Sequence, residues 1–375
     1  MGENIKNWQN EELTKSVLLT LTNQCNLNCS YCYEKNKNKE QMSFATAKQI
    51  IDYELSLNDG FPFVSFDFFG GEPLLQFPLI KQLVEYIKTI QTGKKIICFI
   101  MTNGTLVHEE IKEWLLANRD HVVCGLSLDG KKESHDLNRS NSFDKIDIDF
   151  FCKTYPKQDI KMTISEVSLP FLFENVKFCH EKGFFVSCNL AYGINWMAKS
   201  NQAILERELK KLIDYYLDHP QTTPASILDG DIFNVVLEAE KTSCKKWCGV
   251  GTSMKTYAVN GDLYPCQLFM PISADSEIDS RSIVFEKSFP ISYLDDECQK
   301  CIIRPVCPTC YGSNYIATGN IYKRDMSMCE LNKIIIRARA YFKAMQWEKG
   351  LLTLQDAKSA AVSVMTLKHV CSIKM

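Results

Sequence analysis

The stretch LTNQCNLNCSYCYE, residues 21–34, decides how this chain is interpreted. It forms the loop that leaves the first predicted strand, and it places Cys25, Cys29 and Cys32 at the spacing C-x3-C-x2-C. A four-iron cube takes four ligands, so three clustered thiolates leave one iron open to a ligand that is not protein. An open metal position is typical of a catalytic site, and a zinc knot with a distant fourth ligand is the alternative.

Strand-like and helix-like segments alternate around this loop. The strand-like segments are nearly continuous apolar runs at residues 16–22, 63–69, 95–102, 122–128, 161–167 and 184–191. Helix-like segments lie between them at residues 43–57, 76–89, 108–118, 143–155 and 169–182. This alternation predicts a parallel sheet covered by helices. The six repeats favour an α/β fold, a partial (β/α)6 TIM barrel, with a doubly wound sheet as the alternative, and either fold gathers function at the carboxyl ends of its strands.

The bulk composition excludes several classes of protein. A net charge of -2 over 375 residues argues against a nucleic-acid partner held by electrostatics. The first apolar run is too short for a signal peptide or a membrane span, so we expect a soluble, cytoplasmic protein with no membrane partner. In a reducing cytosol, 17 cysteines indicate metal binding rather than disulfides.

Three further motifs follow the next predicted strands. They are FFGGEP at residues 68–73, MTNGT at residues 101–105, and SLDG at residues 127–130 with Arg139 nearby. Paired glycines let a backbone approach a ligand closely, and the carboxylate beside them can pair with an ammonium group. A serine hydroxyl and an arginine fork can hold a ribose or a carboxylate. Asn-Gly alone is ordinary turn chemistry.

Together these motifs resemble the radical S-adenosylmethionine (SAM) superfamily over residues 16–192. The resemblance implies that Cys25, Cys29 and Cys32 hold a [4Fe–4S] cluster whose open iron is chelated by SAM. It implies these SAM contacts: Gly70, Gly71, Glu72 and Pro73 at the methionine amine, Ser127 and Arg139 at ribose and carboxylate, Tyr31 and Leu190 at adenine, and Thr102 and Asn103 as further cofactor-binding residues. It also implies reductive cleavage of SAM to methionine and a 5′-deoxyadenosyl radical, which abstracts hydrogen from a substrate.

A second cysteine-rich region begins at residue 244, and its spacing alone leaves two zinc ribbons open. The pattern resembles the SPASM domain, a twin-cluster extension of radical SAM enzymes that modify peptides and proteins. The resemblance implies two further [4Fe–4S] clusters, three in all: auxiliary cluster I on Cys244, Cys248, Cys266 and Cys310, and auxiliary cluster II on Cys298, Cys301, Cys307 and Cys329. If Cys244 does not reach cluster I, this cluster keeps an open iron to which a substrate thiolate can bind.

We expect five regions along the chain. They are an N-terminal segment (1–15), the radical SAM partial barrel (16–225), a linker helix (226–243), the SPASM domain with short β-hairpins (244–335), and a C-terminal helix and tail (336–375).

Several functions fit these features. The favoured one is a maturase of a ribosomally made peptide (a RiPP) that installs a cross-link such as a Cys thioether. The alternatives are an anaerobic sulfatase maturase that makes formylglycine from Cys or Ser, another SPASM oxidation or epimerisation, and a non-enzymatic iron–sulfur carrier. Sulfatase maturases carry an Asp after the cysteine of their Gly-x4-Cys element, whereas this chain has Gln267. A neutral amide cannot act as that general base.

The partners expected from the family are a precursor peptide and a flavodoxin or ferredoxin as reductant. Only 24 residues precede Cys25, so no leader-binding module fits there. We therefore expect a separate leader-binding protein, or a leader that docks on the barrel or on the SPASM surface.

Overall fold

The structure is a computed structural model that describes most of the chain. The described residues are 13–156, 158–192, 194, 196–230, 232, 235, 241–246, 248–273, 280–352, 361 and 365. By their contacts the residues group into two compact units. The first comprises Met1–Leu128, Arg139–Gln158 and Cys248–Glu286, and the second comprises Asp129–Asn138, Asp159–Trp247 and Lys287–Met375. Each unit is therefore assembled from segments that are distant in the sequence.

Ten β-strands lie in the described part of the chain. In chain order they are β1 (Thr14–Thr22), β2 (Phe63–Gly70), β3 (Lys95–Thr102), β4 (Val122–Leu126), β5 (Asp159–Ile164), β6 (Phe185–Leu190), β7 (Ser243–Lys245), β8 (Met254–Tyr257), β9 (Leu263–Tyr264) and β10 (Ser288–Pro290). The six predicted strands are present as β1 to β6. The fifth ends earlier than expected because a turn follows it, in which the Ser165 amide donates to Ser168 Oγ at 2.9 Å.

The described residues also form ten α-helices. They are α1 (Phe44–Ser56), α2 (Phe77–Thr89), α3 (Glu109–Ala117), α4 (Lys132–Asn138), α5 (Ile148–Thr154), α6 (Leu172–Glu181), α7 (Lys199–Asp218), α8 (Asp296–Gln299), α9 (Tyr311–Thr318) and α10 (Cys329–Glu348). Helix α4 was not predicted, because its sequence KESHDLN has a single apolar residue and thus no periodicity. Much of the linker helix expected at residues 226–243 lies outside the described residues. No described helix combines the length and the apolar composition needed to cross a bilayer.

A six-stranded sheet forms the core of the first unit. Its order is β4-β3-β2-β1-β8-β9, and every neighbouring pair is parallel except β8 and β9. The register places Leu19 opposite Phe68 and Phe66 opposite Cys98, and all four side chains are buried. The predicted α/β class with parallel strands is confirmed. Because β1 to β4 are parallel, their carboxyl ends, which carry the sequence motifs, lie at one edge of the sheet.

Strand β8 extends this sheet beyond β1, which the sequence did not reveal. The ladder runs from Ser16 opposite Met254 to Leu19 opposite Tyr257. The Tyr257 hydroxyl donates to the buried carboxylate of Glu54 in α1, which fixes β8 to a covering helix. A strand of four residues, MKTY, is too short for its pattern to indicate which sheet it joins.

The second unit contains two small sheets and a pair of packed helices. Strands β5 and β6 pair in parallel, and β7 pairs with β10 antiparallel. Helix α10 packs on α7, where the rings of Tyr216 and Phe342 lie 6.0 Å apart and Arg337 pairs with Glu206. A small apolar cluster lies at the cysteine-rich segment and consists of Val235, Ile303, Val306 and Ile336.

Candidate functional site

The three cysteines of the first loop lie directly after β1 and are partly buried. The Cys32 amide donates to the Cys29 carbonyl at 3.1 Å, and the Leu27 amide donates to Cys25 Sγ at 3.4 Å. Burial raises the pKa of the Cys25 thiol to about 11, and the hydrogen bond from Leu27 lowers it only in part. A thiolate is the form that binds metal, so a cationic metal bound here would hold the sulfur deprotonated.

Gly70 and Gly71 bring the end of β2 against the start of the cysteine loop. The amides of Gly71 and Glu72 donate to the carbonyls of Thr22 and Gln24, at 3.0 and 2.8 Å. A Cβ on Gly71 would lie 2.2 Å from the Gln24 oxygen and 2.9 Å from Cys25 Cβ. Gly70 has φ 147 and a similarly close approach to Thr22. These glycines therefore position the loop itself, whereas the sequence suggested only a close approach to a ligand.

Glu72 is buried at the centre of this edge and Pro73 follows it, also buried. The Glu72 carboxylate accepts from Thr102 Oγ1 at 2.7 Å, from the Asn103 amide at 2.8 Å and from the Leu74 amide at 3.1 Å. Burial raises the pKa of Glu72 to about 7, and these hydrogen bonds and the charge of Arg139 lower it in part. A carboxylate can accept about four hydrogen bonds, so Glu72 keeps capacity for an ammonium donor.

The end of β3 fixes the cysteine loop from a second side. Asn103 Nδ2 donates to Asn26 Oδ1 at 2.9 Å, and Asn26 Nδ2 donates to Thr105 Oγ1 at 2.8 Å. Thr105 Oγ1 in turn donates to Asn103 Oδ1 at 2.7 Å. Asn26 and Thr105 thus belong to the site, and their position inside the two motifs was the single signal that could have pointed to them.

Arg139 and Tyr31 meet on the same side of the loop. The guanidinium carbon of the buried Arg139 lies 5.4 Å from the centre of the Tyr31 ring. The next residue, Ser140, accepts from the Asn28 amide at 3.0 Å, and its φ of 58 holds a left-handed turn. Ser127 follows β4, where its amide donates to the Thr102 carbonyl at 2.9 Å.

Ten residues other than the cysteines were predicted to contact SAM, and nine of them lie in the first unit. Tyr31, Gly70, Gly71, Glu72, Pro73, Thr102, Asn103, Ser127 and Arg139 belong to that unit. Leu190 belongs to the second unit, where it is buried at the end of β6. Its role in an adenine pocket stays a prediction.

Two charged residues beside the cysteines were missed by sequence reasoning. Burial lowers the pKa of Lys37, but the sulfurs of Cys32 and Cys25, a hydrogen bond with Cys32 and the charge of Glu34 raise it above its usual value overall. Burial raises the pKa of Glu34 to about 7, and Lys37 lowers it in part. A lysine against two sulfurs supplies positive charge where an anionic cluster would lie.

Gln267 faces the same loop from the segment after β9. Burial raises the pKa of the Tyr33 phenol well above its ordinary value. The charges of Glu34, Cys266 and Cys32 raise this pKa further, and a hydrogen bond with the Gln267 side chain lowers it in part. Asn36 joins the two segments, because its Nδ2 donates to the Pro271 carbonyl at 2.9 Å. Tyr33 therefore lies within electrostatic reach of cysteines from both predicted cluster motifs.

The cysteines predicted for auxiliary cluster II all lie in the second unit and influence one another. Burial raises the pKa values of Cys298 and Cys329, and raises that of Cys307 to about 11. The charges of neighbouring sulfurs, Cys301 among them, raise all three further. Three thiols of raised pKa, each influenced by the sulfur of Cys301, fit a site completed by a cationic metal cluster.

The cysteines predicted for auxiliary cluster I come from both units. Cys248 and Cys266 belong to the first unit, and Cys244 and Cys310 belong to the second. Cys310 lies before α9, where its Sγ accepts from the Ser313 amide at 3.5 Å. Cys244 lies in β7, opposite Phe289 of β10. The ligand set of this cluster stays a prediction.

No three His, Cys, Asp or Glu side chains in the described segments lie close enough together to hold a single metal ion. The cysteine ligands of a single zinc ion each lie about 2.3 Å from it and so lie close together. The ligands of a four-iron cube are farther apart, because they surround a larger cofactor.

Two curated proteins are similar to this chain over much of its length. An uncharacterized protein of Methanocaldococcus jannaschii is 37% identical over 171 residues, which cover 44% of this chain and 58% of that protein. The chain thus spans less than two thirds of that relative. The cysteine-type anaerobic sulfatase-maturating enzyme of Clostridium perfringens is 26% identical over 314 residues, which cover 74% of this chain and 83% of the enzyme.

Two solved structures share the fold. Native anSMEcpe with bound AdoMet and Cp18Cys peptide has a TM-score of 0.69 at 21% identity, over 90% of this chain and 99% of that chain. Streptococcus suis SuiB bound to precursor peptide SuiA has a TM-score of 0.56 at 18% identity, over 87% of this chain and 79% of that chain. At these identities the likeness concerns the fold.

The family model of the radical SAM superfamily matches residues 19–147, which contain the cysteine loop, the GGEP motif and Arg139. The family implies a [4Fe–4S] cluster and SAM. Residues 19–147 of this chain therefore match the radical SAM domain.

Proposed function

We propose that this protein is a radical SAM/SPASM maturase that installs a cross-link, such as a Cys thioether, in a ribosomally made peptide. When bound, the cluster and SAM supply a 5′-deoxyadenosyl radical that abstracts hydrogen from the peptide. The chain's own part is to orient SAM. In this proposal the buried Glu72 takes the methionine amine, and Arg139 takes the carboxylate or ribose with Ser127.

The observation that carries this choice is the residue after Cys266. Formylglycine formation of the kind proposed for sulfatase maturases uses an Asp at that place as general base. Here that residue is Gln267, whose buried Oε1 has no hydrogen-bond partner among the described residues. An amide neither takes up a proton near neutral pH nor supplies negative charge, so the pocket lacks the base at that position.

The second candidate function is sulfatase maturation. It is favoured by the similarity to the Clostridium perfringens enzyme over 74% of this chain. The SuiB structure, which was solved with a precursor peptide, supports a peptide substrate for the first candidate. Both candidates therefore share a peptide substrate and a reductant such as a flavodoxin or ferredoxin, and they differ in the bond that is made.

One experiment separates the two candidates. The anaerobically reconstituted protein is incubated with SAM, reductant and either a cysteine-type sulfatase peptide or the small peptides encoded beside its gene, and the products are read by mass spectrometry. We expect loss of two hydrogens from a gene-neighbour peptide and no formylglycine. Formylglycine made by the unmodified protein would establish the second candidate instead. Gln267→Asp tests the base directly, and we expect it to make no formylglycine.

Iron analysis tests the cofactor assignment independently of any peptide. We expect about twelve irons in the unmodified protein and about eight after Cys25, Cys29 and Cys32 are all replaced by Ala, because each cube holds four irons. The triple variant should also lose SAM cleavage. Cys244→Ala then reports on cluster I: iron content of about eight or nine means a required ligand, and twelve means a tolerated open iron. About four irons together with zinc in the unmodified protein would overturn the SPASM assignment.

A further inference from the structure

Arg324 lies among the cysteines of the second unit that are predicted to hold auxiliary cluster II. Its Nη1 donates to the Cys307 carbonyl at 3.0 Å and to the Pro308 carbonyl at 3.4 Å. Its own amide donates to Asp295 Oδ2 at 3.1 Å, next to α8, the helix that carries Cys298. The arginine is thus fixed at both ends against the segments that bear these cysteines.

The guanidinium of Arg324 is bonded to backbone carbonyls and not to a carboxylate. In the described part of the chain, its hydrogen bonds go to carbonyl oxygens. The side chain of the nearby Asp295 pairs with Lys323 instead, at 3.3 Å. Because Nη1 bonds to the backbone of Cys307, the guanidinium charge lies within a few ångströms of this predicted cluster ligand and favours negative charge there.

The other cation of this region differs from Arg324 in that respect. Lys333 lies one turn after Cys329 on α10. It also pairs with Glu330 at 2.7 Å, one turn away on the same helix. A lysine neutralised by an adjacent carboxylate has a weaker net effect on its surroundings than an arginine bonded to neutral carbonyls.

We propose that Arg324 is a positioning residue that raises the reduction potential of the cluster held by Cys298, Cys301, Cys307 and Cys329. This inference rests on the cluster assignment in the proposed function. Reduction adds one electron, and so one negative charge, to a cluster that already carries four thiolates. A fixed cation a few ångströms away stabilises the reduced form more than the oxidised form. Because guanidinium stays charged at every relevant pH, the effect does not depend on pH.

The test compares three substitutions in a full-length background with Cys25, Cys29 and Cys32 replaced by Ala, so that only the auxiliary clusters are reduced. Arg324→Gln removes the charge and Arg324→Lys keeps it. Lys323→Gln is the matched control, because it removes a neighbouring charge that is paired with Asp295. Iron content is measured first, and then each one-electron wave is followed by EPR during a potentiometric titration with dithionite.

We expect Arg324→Gln to keep about eight irons and to lower one of the two waves. At a fixed potential its ratio of reduced to oxidised cluster should fall about tenfold, which is about 59 mV for a one-electron couple. Arg324→Lys and Lys323→Gln should change that ratio less than about threefold, because the first keeps the charge and the second removes an exposed charge that solvent and salt screen.

Three results would overturn the proposal. They are unchanged waves in Arg324→Gln, equal shifts in the Gln and Lys variants, and loss of iron in Arg324→Gln, which would make Arg324 a requirement for holding the cluster rather than a control on its potential. A background protein that binds no auxiliary iron at all would instead overturn the cluster assignment, so the two failures are distinguishable.

Discussion

Replacing Gly71 by Ala should displace the cysteine loop while leaving the sheet intact. The new Cβ would lie 2.2 Å from the Gln24 oxygen, 2.5 Å from its carbonyl carbon and 2.9 Å from Cys25 Cβ. These are mostly backbone atoms, which cannot rotate away as a flexible side chain can. Since ordinary contacts begin near 3.4 Å, the loop must move by about 1 Å at Gln24.

The magnitude follows from the contacts that this movement breaks. The hydrogen bonds from the Gly71 and Glu72 amides to the loop, at 3.0 and 2.8 Å, are worth about 1 kcal/mol each. Overpacking a tight site costs about 1–3 kcal/mol more. We therefore expect the free energy of unfolding to fall by about 3–5 kcal/mol, and the iron content of the reconstituted protein to fall by about one cube.

Gly93→Ala is the matched control, because a Cβ on Gly93 meets no atom within 4 Å. Urea unfolding of the apoproteins and iron analysis after reconstitution, side by side on both variants, measure the two effects. If Gly71→Ala matches Gly93→Ala in both stability and iron content, then the close approach of the two strand ends does not hold the loop, and the reasoning is wrong.

Three other predictions follow from the first unit. Arg139→Ala should weaken SAM binding by about 1.5–3 kcal/mol in calorimetry, with the exposed Arg119→Ala as control; equal affinities would remove Arg139 from the site. The folded protein raises the pKa of Glu72 from 4.5 to about 7. Between these two pH values the unfolded apoprotein loses the proton while the folded one keeps it, so the free energy of unfolding falls by up to about 1.4 kcal/mol per pH unit as the pH rises. Glu72→Gln should remove that part of the slope, and an unchanged slope in urea titrations would contradict it. Glu54→Ala strands the buried ammonium of Lys15, 2.7 Å from the lost carboxylate, and should cost about 3–5 kcal/mol, whereas a loss under about 1 kcal/mol would show that Asp59 suffices.

The first four strands and the motifs that follow them could be predicted from the sequence. The apolar runs that predicted β1 to β4 are buried because parallel strands are covered on both faces, so their composition carries a clear signal. The motifs at their ends were placed correctly at one sheet edge for the same reason. The role of the glycines was predicted less accurately. The sequence shows that Gly71 permits a close approach, but it does not show that the approaching group is the backbone of Gln24.

Features made by contacts between distant segments could not be predicted. Gln267 is an ordinary residue in its local sequence, and its relation to the cysteine loop arises only when the segment after β9 packs on it. Lys37 is near the loop in sequence, but no pattern marks its interaction with Cys32 and Cys25. Helix α4 was missed because it is short and polar, and β8 because a four-residue strand does not show which sheet it completes. The auxiliary-cluster ligands rest on cysteine spacing and on the resemblance, and for cluster II the mutual influence of the sulfurs supports them.

The attachment of β8 to β1 has a consequence for protein engineering. The segment Cys248–Glu286 belongs to the first unit, although it follows the chain's passage through the second. A chimaera joined before residue 248 would leave the edge of β1 without its partner and expose a row of unpaired amides and carbonyls, which invites aggregation. The two halves of this protein therefore cannot be exchanged by a single cut in the sequence. A chimaera that receives another protein's cysteine-rich half must also receive a strand equivalent to β8, or must keep its own β8.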